Sequence, residues 1–160
     1  MTIQVGDHIP NVTLMKATSE GPQPVDTESF FAGRKVAIFS VPGAFTPPCS
    51  ARHLPGFVEK ADELRAKGVD EVACVSVNDA FVMGAWGQQA GAEGKVTMLA
   101  DGNGELAEAV GLTMDGSKFG MGRRGQRWSA IVDDGVVREL NVEEPGAFSV
   151  SSAEFLLNQL

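Results

Sequence analysis

The stretch "VAIFSVPGAFTPPCSARHLPGF", residues 36–57, joins two patterns through a loop rich in proline. Residues 36–41 form a continuous apolar run, which is typical of a strand buried on both faces of a mainly parallel sheet. After the loop, apolar residues fall on one helical face from Ser50 to Lys67, and Pro55 inside this pattern predicts a kink. The stretch therefore predicts a strand, a loop and a helix, with Cys49 close to the beginning of the helix.

The rest of the chain predicts further strands that alternate with helices. Asp134-Gly135 is a turn signal and predicts a hairpin between residues 127–134 and 136–142. The other predicted elements are strands at 72–77 and 96–100, an edge strand around "NVTLMKA", a helix capped by Asn78 or Asp79 and ending at Gln89, and helices in "GELAEAV" and in "SSAEFLLNQL", the last capped by Ser151 or Ser152. This order predicts an α/β protein with a central mixed sheet flanked by helices, as in the thioredoxin fold.

Length and composition limit the kinds of function that the chain can have. A chain of 160 residues without internal repeats predicts a single domain, residues 1–160. The net charge of -8 argues against nucleic acid and anionic membrane surfaces as partners. No apolar run has the length of a membrane span and no signal peptide is visible, so with only two cysteines we expect a cytoplasmic protein. Scattered cysteines and histidines also make a poor zinc site, so no metal is expected.

Cys49 is predicted to lie in a first helical turn, where a thiol has a special chemistry. Free backbone N–H groups and the positive end of the helix dipole favour an anion there, and they lower the pKa of a cysteine. Thr46 can present its hydroxyl to the same place, and Pro42 and Pro47 stiffen the loop. The alternative that position alone leaves open is a buried cysteine that only packs.

The arrangement Pro-x-x-x-Thr-x-x-Cys in "PGAFTPPC", residues 42–49, resembles the active site of the peroxiredoxins, thiol peroxidases with a thioredoxin fold. The longer text from "FSVPGAF" to "GAWG", residues 39–87, and the later "RWSAIVDDGVVRELNVEEPG" are similar to the type-5 branch of that family. The resemblance covers nearly the whole chain. It implies a single peroxiredoxin-like domain that reduces hydrogen peroxide and small alkyl hydroperoxides without a cofactor.

The resemblance also assigns roles to four residues. It implies that the Cys49 thiolate attacks the hydroperoxide and becomes a sulfenic acid. It implies that Thr46 hydrogen-bonds the thiolate or the peroxide, and that Pro42 shapes and dries the pocket. Arg127 matches the family's distant arginine, which holds the thiolate and stabilises charge on the leaving oxygen.

The second cysteine decides how the oxidised enzyme is expected to be recycled. Cys74 lies in the middle of a predicted core strand and is expected to be inert, because a core strand cannot easily reach a helix start to form a disulfide. Some type-5 members have a resolving cysteine near the C-terminus, but here residues 143–157 contain none. We therefore expect a one-cysteine member that glutathione or glutaredoxin recycles, and the resemblance further implies a homodimer.

Several other residues invite more than one interpretation. His53 lies four residues after Cys49, but a structural hydrogen-bonding role is favoured over a chemical one. Arg123 and Arg124 are interpreted as solvated loop charge, and Phe119 is a candidate wall of the peroxide pocket.

Two other functions use the same thiol. A disulfide oxidoreductase of the thioredoxin type would need Cys-x-x-Cys, which the chain lacks. A redox-sensing or chaperone-like binding protein would share the fast oxidation of Cys49 but would not turn over.

Overall fold

A computed structural model describes residues 2–47 and 49–160, and for Cys49 the backbone alone. Pro48 and the Cys49 side chain therefore lie outside the described part of the chain. The lowered pKa predicted for the Cys49 thiol stays a prediction. The strands are β1 (Thr13–Thr18), β2 (Gly21–Asp26), β3 (Lys35–Ser40), β4 (Glu71–Ser76), β5 (Thr97–Ala100), β6 (Thr113–Asp115), β7 (Arg123–Gly125), β8 (Trp128–Asp133) and β9 (Val136–Val142). The α-helices are α1 (Thr27–Phe31), α2 (Leu54–Ala66), α3 (Ala80–Gln89), α4 (Glu105–Ala109) and α5 (Ala153–Leu157).

Seven strands form one mixed sheet, in the order β2-β1-β5-β4-β3-β8-β9. The central strands β3, β4 and β5 are parallel, and the strands on either side run antiparallel to their neighbours. Strands β6 and β7 form a separate two-stranded hairpin. This α/β architecture is a thioredoxin-like fold, with a central mixed sheet flanked by helices, as the order of the sequence patterns predicts.

Alternate residues of β3 enter two different parts of the core. Ala37 and Phe39 pack in the cluster that includes α2 and α5, whereas Val36 and Ile38 pack in the cluster on the other face. All four side chains are at most 1% exposed. Burial of each large apolar side chain is worth about 1.5–3 kcal/mol, so a strand in this position has to be apolar throughout.

The helix that follows the β3 loop begins with an irregular turn. Residues Cys49–His53 form a π-helical turn, and α2 continues from Leu54 to Ala66 with Pro55 in its first turn. Proline has no N–H to donate to a preceding carbonyl, and it therefore interrupts regular hydrogen bonding at the point where the sequence predicts a kink.

The predicted helix caps form as expected. The Asp79 carboxylate accepts a hydrogen bond from the backbone N–H of Val82 at 2.8 Å, and the Ser152 hydroxyl accepts one from Phe155 at 3.1 Å. Each satisfies one of the N–H groups that a helix leaves unpaired at its beginning. In the described part of the chain, no helix has the combination of length and apolar character that a membrane crossing requires.

Candidate functional site

The loop after β3 is fixed to the end of the neighbouring strand β4. The Ser76 hydroxyl donates a hydrogen bond to the carbonyl of Val41 at 3.0 Å, and the backbone N–H of Ala44 donates to the Asn78 side chain at 3.0 Å. Parallel strands end at the same edge of a sheet, which is where α/β proteins build their sites. The loop thus enters the π-helical turn from a defined position.

Thr46 is held inside this loop. Its hydroxyl donates a hydrogen bond to the Gly43 carbonyl at 2.6 Å, and its own carbonyl accepts one from the N–H of Ser50 at 2.9 Å. The second bond links the threonine directly to the turn that contains Cys49. Thr46 therefore lies beside that turn, as the sequence motif predicts.

Backbone strain is present next to Thr46. Phe45 has a φ of 65°, a left-handed conformation that is unfavourable for a residue with a bulky side chain. Such strain costs of the order of 1–3 kcal/mol and persists only where the surroundings impose it. Here it falls within the residues that separate Pro42 from Cys49, so the course of this loop is imposed by its surroundings.

Arg127 is brought to the same turn by strand pairing. It immediately precedes β8, whose first residue, Trp128, pairs with Ser40 at the end of β3. The arginine is only 8% exposed, and its Nη1 lies 2.7 Å from Nδ1 of His53, which is 74 residues away in sequence. A cation is thus buried against the turn that begins at Cys49.

His53 is buried and neutral. It is 1% exposed, its Nε2 lies 2.9 Å from the Ser151 carbonyl oxygen, and its ring contacts Phe39 and Phe148. Burial, followed by the positive charge of Arg127, lowers the pKa of His53 to about 3 from its ordinary 6.5. The structural hydrogen-bonding role that the sequence favours for this histidine agrees with these contacts.

Glu143 fastens the segment that supplies the Ser151 carbonyl. One carboxylate oxygen accepts hydrogen bonds from the backbone N–H groups of Ser149, Val150 and Ser151, each at 2.8 Å, and from the Ser151 hydroxyl at 2.7 Å. Burial raises the pKa of Glu143, but these hydrogen bonds outweigh it, and the pKa is lowered overall. Glu143 is therefore a buried carboxylate, and residues 149–151 are tied to it.

The two neighbouring arginines behave differently from each other. Arg123 is 67% exposed and pairs with Glu108 at 3.5 Å, in agreement with its interpretation as solvated loop charge. Arg124 is half-buried, and its guanidinium donates to the Met121 carbonyl at 2.9 Å and to the Pro42 carbonyl at 3.4 Å. The interpretation of Arg124 as solvated was wrong, because the β6–β7 hairpin places it over the site loop.

The aromatic residues divide into buried and exposed ones. Trp86 is 2% exposed, and its indole N–H donates to the Ser50 hydroxyl at 2.9 Å. Phe119 and Phe81 are 78% and 75% exposed. Phe119 therefore lies on the surface of a single chain, and its role as a wall of the peroxide pocket stays a prediction.

Cys74 lies in the middle of β4, between Phe39 of β3 and Met98 of β5. It is 0% exposed, which matches the core position expected for it. Among the residues that the structure describes, no group of histidine, cysteine, aspartate and glutamate is arranged to hold a metal ion.

Comparisons with known proteins identify the family of this chain. The family model described as Redoxin matches residues 4–157. The chain is 53% identical to peroxiredoxin-2E-2 of Oryza sativa subsp. japonica, over 99% of the chain and 73% of that protein. It is 46% identical to peroxiredoxin-2B of Arabidopsis thaliana, over 99% and 98% of the two chains. The crystal structure of reduced Prx3 from Vibrio vulnificus in complex with H2O2 is 52% identical, covers 99% of both chains and superposes with a TM-score of 0.95.

Proposed function

The chain belongs to the redoxin family and is a peroxiredoxin, a thiol peroxidase, and from this premise we propose that Cys49 is the sulfur that reduces the peroxide. The observation that best supports this choice is the position of Arg127, whose buried Nη1 lies 2.7 Å from Nδ1 of His53, the last residue of the turn that begins at Cys49. The carbonyl of Thr46 is hydrogen-bonded to Ser50 of the same turn. Cys74, by contrast, is 0% exposed in the middle of β4.

The proposed first step is a displacement on oxygen. The Cys49 thiolate forms an S–O bond with the terminal oxygen of the hydroperoxide while the O–O bond breaks, which gives a sulfenic acid and an alkoxide or hydroxide. The leaving oxygen takes up a proton and departs as alcohol or water. The cysteine is oxidised by two electrons and the peroxide is reduced by two.

Arg127, Thr46 and Pro42 support this step in the proposed mechanism. A guanidinium that is already in place stabilises the thiolate and the charge that develops on the leaving oxygen, which is usually the largest catalytic contribution. The Thr46 hydroxyl donates its one proton to the Gly43 carbonyl, so its lone pairs accept the O–H of the bound hydroperoxide and orient it. Pro42 shapes the loop, and its carbonyl is bound by Arg124. The structure of Prx3 from Vibrio vulnificus in complex with H2O2 supports hydrogen peroxide as a substrate.

The proposed second step uses a thiol from outside the chain, as in a one-cysteine member of the type-5 branch. Glutathione condenses with the sulfenic acid to give a mixed disulfide and water, and a second thiol, of glutathione or glutaredoxin, then releases the Cys49 thiol. Support comes from the chain itself: its only other cysteine, Cys74, is 0% exposed in the middle of β4.

Paired cysteine variants test this scheme. We expect Cys49→Ser to abolish peroxide consumption and Cys74→Ser to retain most of it, in steady-state assays with glutathione and glutaredoxin and, separately, with thioredoxin. Mass spectrometry after one equivalent of peroxide should locate the oxygen on Cys49 and, with glutathione, a mixed disulfide. Loss of activity in Cys74→Ser would overturn the one-cysteine scheme. Oxidation of Cys49 without turnover with either donor would support the redox-sensing alternative.

We also propose that the protein is a homodimer. Phe45, Phe81 and Phe119 are 46%, 75% and 78% exposed, and large exposed aromatic side chains are enriched at interfaces. Light scattering coupled to size-exclusion chromatography should give twice the chain mass, and a monomer at all concentrations would contradict the proposal. The cytoplasmic location stays a prediction, which cell fractionation tests.

A further inference from the structure

We propose that His53 is a positioning residue: its neutral Nδ1 holds the Arg127 guanidinium at the site, and residues 149–151, fastened by Glu143, fix the tautomer that allows this. The inference rests on the proposed function, because it takes Arg127 to act on the sulfur and the peroxide. In this proposal His53 acts through Arg127 and not by contact with the reacting atoms.

The hydrogen-bonding partners of His53 determine its tautomer. The Ser151 carbonyl can only accept, so Nε2, which lies 2.9 Å from its oxygen, must carry the proton. The guanidinium of Arg127 can only donate, so Nδ1, which lies 2.7 Å from Nη1, must present its lone pair. Both contacts are satisfied only by the neutral ring protonated on Nε2, and a hydrogen bond from a cation to that ring is charge-assisted.

These contacts belong to a closed ring of hydrogen bonds. The backbone N–H of Glu143 donates to the Arg127 carbonyl at 3.0 Å, and the Glu143 carboxylate binds the N–H and hydroxyl of Ser151. The Ser151 carbonyl accepts from His53, and His53 accepts from the Arg127 side chain. The backbone and the side chain of Arg127 are thus both tied to the segment that follows β9.

Aromatic side chains surround the buried imidazole of His53. Phe39, Phe57 and Phe148 lie around the imidazole, with ring centroids 4.7, 5.6 and 4.9 Å away. The charged groups that act on it are Arg127 and Glu143. A hydrogen bond in such an enclosed place fixes the direction of a guanidinium more strictly than one exposed to water.

The experiment measures the rate constant of Cys49 oxidation by H2O2 and the pKa of Cys49, from thiolate absorbance, in His53 variants. His53→Phe keeps a ring but removes both contacts, and we expect a slower rate by about tenfold or more and a raised Cys49 pKa. His53→Asn keeps an acceptor close to the Nδ1 position, and we expect it to recover a large part of the rate. His8→Phe, at the exposed second histidine, is the matched control and should change neither quantity.

A double-mutant cycle with Arg127→Ala separates this inference from the function on which it rests. If His53 acts through Arg127, His53→Phe should have almost no further effect in the Arg127→Ala background. Equal effects in both backgrounds, or an unchanged rate in His53→Phe, would overturn the inference while the peroxidase function stands. An unchanged rate in Arg127→Ala would overturn the assigned role of Arg127 and the inference together.

Glu143→Gln provides a second variant in case His53→Phe does not fold. It removes the charge that fastens residues 149–151 and leaves the His53 and Arg127 side chains in place. We expect a reduction of the oxidation rate in the same direction but smaller, together with a raised Cys49 pKa. Faster amide exchange in Glu143→Gln would show that residues 149–151 are loosened. If the oxidation rate and the pKa of Cys49 were nevertheless unchanged, the proposed role of the hydrogen-bond ring would be contradicted.

Discussion

At the scale of single residues, two arginines that are close in sequence have different surroundings. Arg127 is buried and bonded to a neutral histidine, whereas Arg123 is 67% exposed and paired with a carboxylate. A buried cation acts strongly on a neighbouring thiolate because solvent screens it little. Arg127, and not Arg123, is therefore expected to influence Cys49.

Substitution of Arg127 tests this difference. We expect Arg127→Ala to raise the pKa of Cys49 and to slow its oxidation by about 10–100-fold, the effect of removing one charged hydrogen bond. Thiol titration and stopped-flow oxidation measure the two quantities. Arg123→Ala is the control and should leave both unchanged. An unaltered titration in Arg127→Ala would remove this residue from the site.

The motif is sufficient to predict Cys49, Thr46 and Pro42 as candidates, because they are close in sequence. Arg127 could be proposed only from the resemblance, and its contact with His53 could not be predicted, since it depends on the pairing of β8 with β3. Arg124 was misinterpreted for a related reason. Its contact with Pro42 requires the β6–β7 hairpin to fold over the loop, and three-residue strands have too little pattern to be recognised.

At the scale of elements, the strands with the strongest sequence signal are those buried on both faces. Strands β3 and β4 are continuous apolar runs because both faces of the central sheet are covered, and their predicted bounds agree with the structure to within one residue. Strand β2 was missed because its sequence, GPQPVD, contains two prolines. Proline is tolerated there because β2 lies at the edge of the sheet.

Two glycines of α3 provide a test of how closely this helix packs on the sheet. A Cβ at Gly87 would lie 2.7 Å from Cγ of the buried Met98, whereas one at Gly84 would lie 3.5 Å from Cβ of Ala17, an ordinary contact. Alanine is favoured over glycine in a helix by about 1 kcal/mol. We expect Gly84→Ala to raise the free energy of unfolding by up to that amount.

Gly87→Ala should instead lower the free energy of unfolding, since overpacking costs about 1–3 kcal/mol. Denaturant unfolding of both variants gives the comparison. A Gly87→Ala protein as stable as Gly84→Ala would show that Met98 moves aside without cost and that the glycine does not set the packing distance.

At the scale of the whole molecule, the buried ring of hydrogen bonds makes the free energy of unfolding depend on pH. The folded-state pKa of His53 is about 3, below its ordinary 6.5, so the unfolded chain binds the proton first as the pH falls. The contribution of neutral His53 to the free energy of unfolding is therefore fully present above pH 6.5. It is lost between pH 6.5 and about 3. The lowered pKa of Glu143 adds a loss in the same direction below its ordinary 4.5.

The pH dependence of unfolding checks the sign of this effect. We expect the free energy of unfolding to fall as the pH decreases from 6.5, by about 1.4 kcal/mol per unit for one proton. His53→Asn should show a shallower slope in this range, and His8→Phe should retain the slope of the unmodified protein. Stability that is constant between pH 6.5 and 4.5 would contradict a neutral, buried His53.

The position of Trp86 has a consequence for observing the reaction. Its indole N–H is bonded to the hydroxyl of Ser50, the residue after Cys49, and the ring is almost fully enclosed. Tryptophan emission changes in colour and intensity when such a bond breaks or when water reaches the ring. The protein thus contains its own fluorescent reporter, bonded to the residue that follows Cys49. Each round of oxidation and recovery can be followed by intrinsic fluorescence without an added dye.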